Sequence, residues 1–159
     1  MSQQRTAAAQ AKGFFKHEVV AVSIPQRKGD AVVIDTDEHP RASTTIEALT
    51  KLKGVVKAGG TVTAGNASGI NDGAAAMLLA SEEAVKLFNL KPMARVVSMG
   101  VAGVDPAIMG IGPVPASQKA MIRAGLTVKD LDLVELNEAF ASQSLACMRD
   151  LELDADKVN

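Results

Sequence analysis

Two stretches of this chain hold side chains of the kind that do chemistry. In LVELNEAFASQ, residues 133–143, the pair Asn137 and Glu138 stands at the junction of an apolar run and a helix-forming one. An Asn amide offers one carbonyl and one NH2, so it can hold a water molecule in a fixed orientation without carrying charge. A water held in that way can donate to a developing oxyanion. The plainer role for Asn137 is to cap the helix that follows, and Glu138 in a first helical turn would simply favour the helix dipole. The second stretch, GGTVTAGNASGINDG at residues 59–73, has small residues and backbone amides that can lie close to an extended ligand. It is neither a Walker loop nor a dinucleotide fingerprint, and a long connection is the competing reading. If it binds, the side chains that matter are Asn66, Ser68, Asn71 and Asp72.

The remaining reactive residue types read as structural. Cys147 sits in QSLACMRD on an expected helix, among Leu145, Ala146 and Met148, with no basic residue nearer than Arg149. That is the setting of a small buried hydrophobe, not of an activated thiolate. His17 and His39 lie singly in charged, loop-like surroundings, and two His with one Cys make no metal set. Met109, beside glycines in IMGIGP, can line a pocket or fill a core.

These residues need elements to position them. Residues 2–16 are rich in helix formers, with Gly13 as the stop. EVVAVSIP and AVVID flank the turn QRKGD and predict a hairpin. From about Thr45, Ile46, Leu49 and Leu52 recur at helical spacing, with Gly54 expected to close the helix. After the 59–73 loop, AAAMLLAS reads as an apolar strand or a buried helix start, and Ser81 is the expected N-cap of SEEAVKLFN. ARVVSMGVAG predicts a strand, Ser117 opens a helix that ends at Gly125, DLDLVELNEAF predicts another strand, and a last helix runs from about Glu138 to Leu151. Helices alternating with apolar strands predict an α/β chain with a largely parallel, covered sheet. In such sheets ligands gather at the carboxyl ends of strands, where both polar stretches would fall.

Composition narrows the function classes. The chain has 159 residues, 47% hydrophobic and 22% charged, enough for one domain with a core. Seventeen Lys and Arg offset 18 Asp and Glu with no basic block, which argues against nucleic acid as partner. No apolar stretch approaches the roughly 18 residues of a membrane span, and no leader-like segment is evident. With a single cysteine, the expected setting is a reducing, cytoplasmic one. Trp and Tyr are absent, so Ala, Val, Leu, Ile and Met must build the core.

GTVTAGNASGINDGAAAMLLASEEA, GVDPAIMGIGPVPASQKA and DLDLVELNEAFASQ, taken in this order, resemble the thiolase family, in particular the short-chain acetyl-CoA acetyltransferases. The resemblance extends over essentially the whole chain. It implies a transferase that moves acyl groups between coenzyme A thioesters through a cysteine acyl-enzyme, condensing two acetyl-CoA or cleaving acetoacetyl-CoA. By the same resemblance Asn137 holds the water that, with a histidine, binds the thioester oxygen as it becomes an enolate. Phe140 and Met109 would border the acyl pocket, Ala64 and Ser68 would lie along the pantetheine arm, and Arg41 near the nucleotide. No metal and no covalent cofactor are implied, coenzyme A thioesters being the substrates, and family members are homodimers or homotetramers.

The departures from the family pattern are specific. The nucleophilic cysteine would lie upstream of this chain, and the GHP histidine and CxG cysteine just after Asn159; neither motif occurs, and Cys147 matches neither cysteine. Ala48 and Val56 stand where the family often has Ser and Phe, removing a hydroxyl and apolar surface from the cofactor side. The implied fold is a partial thiolase one, with incomplete layered αβαβα halves and an α+β coenzyme A-binding loop domain. Residues 1–72 would be most of the loop domain, 73–92 the closing strand and helix of the first half, and 93–159 the opening of the second. The expectation is a fragment, inactive by itself, whose alternatives are a non-catalytic coenzyme A-binding module or a subunit that completes a partner chain.

Overall fold

The computed structural model describes residues 1–159, which divide into two compact units, Met1–Lys53 and Gly54–Asn159. In the first unit, helix α1 (Ser2–Ala11) ends before Gly13, whose positive φ of 70° is the backbone geometry an L side chain resists. Strands β1 (Val22–Ile24) and β2 (Val32–Ile34) pair antiparallel, with Val22 opposite Ile34, as the hairpin pattern predicts. The short helix α2 (Ile46–Leu49) starts at Thr45, whose hydroxyl accepts from the Ala48 amide. It stops at Leu49, well before Gly54; Gly54 instead serves close packing, since a Cβ there would meet Gly60 O at 2.7 Å.

In the second unit α3 (Glu82–Leu87) is capped by Ser81 as expected. A 3-10 turn, Pro106–Ile111, leads into α4 (Pro113–Ala124), which begins four residues earlier than Ser117 because proline is pre-set for a helix's first turn. Gly125, at φ 68°, terminates it as predicted. The last helix, α5 (Ala141–Asp150), starts three residues later than Glu138. The core lies between α4 and α5: Val114, Cys147 and Leu151 are buried, with Ile111, Met121, Leu136 and Leu153 packed around them. Their spacing on α4 (114, 121) and α5 (147, then 151) is that of helix faces turned toward each other.

The expected parallel sheet is present only in germ. AAAMLLAS forms neither strand nor helix, and ARVVSMGVAG forms no ladder. Extended backbone needs a neighbouring strand for its amides and carbonyls, and neither segment has one among the residues present. Around Val134 the expectation is met in part: Val134 and Leu136 donate to Lys157 O (2.8 Å) and Asn159 O (3.1 Å), and Val134 O accepts from Asn159 N at 2.9 Å. This is one parallel bridge, Val134 with Val158, joined through α5 as a strand–helix–strand crossover. From residue 97 to 104 exposed and half-buried positions alternate strictly, which is strand periodicity without a partner strand. Its inner face lies on α4: a Cβ on Gly100 would run into Ala116 O and come within 2.9 Å of Ala120 N. No helix is long and apolar enough to cross a membrane.

Candidate functional site

The 59–73 loop is knotted by its own polar groups. Asn66 Oδ1 accepts from the Thr63 amide and Asn66 Nδ2 donates to Thr61 O, each at 2.8 Å. Thr63 O accepts from the amides of both Asn66 and Ala67, so Ala64 and Gly65 sit exposed at the tip. This closed loop then docks on the turn that follows Asn137. Ser68 N donates to Ala139 O at 3.0 Å, Ala141 N donates to Asn66 O at 2.8 Å, and Ala67 and Phe140 form an antiparallel bridge. The two polar stretches singled out in the sequence therefore meet through backbone hydrogen bonds.

Asn137 does not cap α5. The cap position is Phe140, with no side-chain cap bond, and Asn137 lies four residues ahead of the helix. Its side-chain amide is exposed and makes no hydrogen bond within the chain, while its carbonyl accepts weakly from Ser144 Oγ at 3.5 Å. Glu138 is likewise outside the helix and exposed, so the dipole reading falls with the cap reading. An unengaged amide beside a rigid turn can orient a water or a ligand oxygen. Phe140 is half-buried in this turn, and Ser68 presents its side chain to solvent from the paired loop.

Met109 is on the 3-10 turn Pro106–Ile111, 70% exposed. That turn packs on α5 because Gly110 has no side chain; a Cβ there would lie 2.8 Å from Gln143 Cγ. Arg41 belongs to the Met1–Lys53 unit, where its amide donates to Gln3 Oε1 at 2.7 Å and its side chain is exposed. Ala48 is the third residue of α2, its amide donating to Thr45 Oγ, and Val56 is exposed. Cys147 is fully buried; its thiol donates to Gly110 O (3.3 Å) and accepts from Gln143 Nε2 (3.4 Å), which is a structural thiol's environment.

The shifted carboxylates belong to element starts, not to this site. Glu47 and Glu83 are held below the usual range first by their own backbone amides and then by the hydroxyls of Thr45 and Ser81. Asp130 is lowered first by the Thr127 hydroxyl and then by its amide. The sequence does not signal how Asn66 is used: it is one of four polar side chains in the loop, and nothing marks it as the one that closes the loop and meets Ala141.

The profile for the thiolase N-terminal domain matches residues 1–83, and that for the thiolase C-terminal domain matches residues 90–159. The chain belongs to the thiolase family. It is 64% identical over 155 residues to a beta-ketoadipyl-CoA thiolase of Acinetobacter baylyi, an alignment covering 98% of this chain and 39% of that protein. To an acetyl-CoA acetyltransferase of Allochromatium vinosum it is 55% identical over 158 residues, covering 99% of this chain and 40% of the relative. The crystal structure of human mitochondrial 3-ketoacyl-CoA thiolase in complex with CoA superposes with a TM-score of 0.86 at 53% identity, covering 99% of this chain and 38% of that one. The backbone is thus part of a thiolase fold, α/β in character, and the chain spans about two fifths of the length of the relatives it matches.

Proposed function

We propose that this chain supplies the oxyanion-binding turn and the coenzyme A-facing loop of a thiolase that transfers acyl groups between coenzyme A thioesters. The observation that carries this is the pairing of residues 66–68 with 139–141, which sets the small-residue loop beside the unengaged amide of Asn137. Asn137 fixes a water that donates to the thioester oxygen as negative charge develops there. Ala64 and Ser68 lie along the pantetheine arm, Phe140 and Met109 border the acyl group, and Arg41 serves the nucleotide end. The thiolate is not Cys147, which is buried and engaged with Gly110; thiolate and general base come from polypeptide outside this chain. In this reading residues 1–72 are most of a loop domain, 73–92 close the first layered half and 93–159 open the second. A cytoplasmic setting accords with the single unpaired cysteine.

Two substrates fit the reading. Condensation of acetyl-CoA or thiolysis of acetoacetyl-CoA follows from the likeness to acetyl-CoA acetyltransferases. The higher identity to beta-ketoadipyl-CoA thiolase favours a longer, acidic acyl chain. Calorimetric titration of coenzyme A into the chain should give saturable binding, and Ser68→Arg, which lays a long side chain over the loop, should abolish it with helicity unchanged. Absence of saturable binding defeats the reading. The chain alone should not cleave acetoacetyl-CoA, and measurable thiolysis would overturn the statement that thiolate and base come from outside. A second reading, a subunit completing a partner chain, is favoured by the unpaired strand periodicity of residues 97–104. Its test is co-purification with a polypeptide that carries the missing cysteine and histidine.

A further inference from the structure

We infer that Asn66 is the positioning residue that fixes the turn carrying Asn137 against the coenzyme A-facing loop. Besides the bond from its own amide to Thr63 O, three hydrogen bonds carry this role. Its side chain closes the loop on itself in both directions, accepting from Thr63 N and donating to Thr61 O at 2.8 Å each. Its main-chain carbonyl accepts from Ala141 N, also at 2.8 Å, and Ala141 is the first residue of α5. That amide is one of the orphan donors every helix start leaves, and α5 has no side-chain cap of its own. The loop therefore caps the helix, and the half-buried Asn66 is the residue through which it does so.

The residue type follows from the pair of partners. One partner is an N–H and the other a C=O, so the side chain must accept at one atom and donate at the other while staying neutral. An ionised carboxylate accepts only and faces the Thr61 carbonyl with like charge; Ala offers neither group. With the side chain locked, the carbonyl of residue 66 and the amide of Ser68 are held at the spacing that meets Ala141 N and Ala139 O. Asn137, two residues before Ala139, inherits its place from that junction. The functional part of this inference deepens the coenzyme A reading and rests on it; the structural part does not.

The test is amide exchange, by NMR on the labelled full chain, at Ser68 and Ala141, with residues of α4 as internal reference. Asn66→Ala should speed exchange at both amides by about tenfold or more while α4 is unchanged. Asn66→Asp, whose carboxylate keeps only the bond from Thr63 N, should also speed exchange at neutral pH and regain protection, read relative to α4, on acidification. The protonated carboxyl both accepts and donates, so it restores the two bonds together. The recovered protection is therefore present while the carboxyl is protonated and lost as it ionises. Unchanged exchange in Asn66→Ala, or in Asn66→Asp a loss that acid does not reverse, overturns the inference. Coenzyme A titration of the same variants separates the two claims: if the parent chain does not bind, the ligand reading fails, and the exchange result still decides what Asn66 does. If it binds, affinity should fall in Asn66→Ala and return with acid in Asn66→Asp; affinity that ignores both changes removes Asn66 from the site.

Discussion

Residues 105–159 and residues 69–104 both carry apolar runs, yet only the first region buries them. On α4 and α5 the apolar positions recur at helical spacing, each helix satisfies its own interior backbone, and the facing helix together with Ile111, Leu136 and Leu153 covers Val114, Cys147 and Leu151. In the other region Met77, Leu78 and Leu79 are 83%, 81% and 74% exposed. Outside the short helix α3 these runs have strand character, and a strand must find hydrogen-bond partners on either side before burial of its faces can be realised. Hydrophobicity alone thus decides neither region; the difference lies in whether backbone partners come from within the segment or from elsewhere.

The sharpest way to break this contrast is to truncate one apolar side chain in each region. Leu151→Ala should cost about 2–5 kcal/mol, the range for a buried leucine, whereas Leu78→Ala should stay within about 0.5 kcal/mol. Denaturant melts followed at the helix band read both, and equal costs would erase the distinction. Next comes the place where the regions touch. Gly100→Ala puts a methyl into the backbone of α4 and should cost about 1–3 kcal/mol, while Gly103→Ala, with open space at its Cβ, should cost far less. Thermal melts of the two variants compare them directly.

A third change bears on the exposed run itself. Met77→Lys with Leu79→Lys should lower binding of a hydrophobic dye and reduce self-association in light scattering, leaving the melt midpoint in place. A large drop in midpoint would mean that the run is packed after all. The smallest effect is electrostatic. Asp130 accepts from Thr127 N and Oγ at 2.8 and 2.7 Å, and its pKa is lowered in the folded chain. Its contribution is therefore present above the ordinary aspartate value and lost as pH falls through the lower folded value. Asp130→Asn should flatten the acid limb of stability slightly, and an unchanged limb would show that this capping box adds nothing measurable.

The legible part of the fold was the part governed by neighbours in sequence. Ser81 as a cap, a helix beginning at about Thr45, Gly125 as a stop and the β1–β2 hairpin all depend on residues within a few positions of each other, and all are present. ARVVSMGVAG was readable as an apolar strand, and its burial alternates as a strand's does, but its ladder was not readable, since the ladder depends on distant chain. For the site, the sequence supplied both polar stretches and the idea that they share one end of a sheet. It did not supply their direct pairing, because Ala67 and Phe140 are 73 positions apart and neither type announces a partner. Asn137 looked most like a helix cap, and only the later start of α5 frees it.

The grip of α4 on the segment beneath it has a directional consequence. Arg123 Nη1 donates to Met99 O at 2.8 Å and Lys119 Nζ to Val101 O at 3.1 Å. Carbonyls two residues apart on an extended chain point to the same rim. Two charged side chains from α4 thus stand where a neighbouring strand would donate, as lysines stand along natural sheet edges. A strand pairing along that rim must first displace both of them, a barrier that the carbonyls between them do not present.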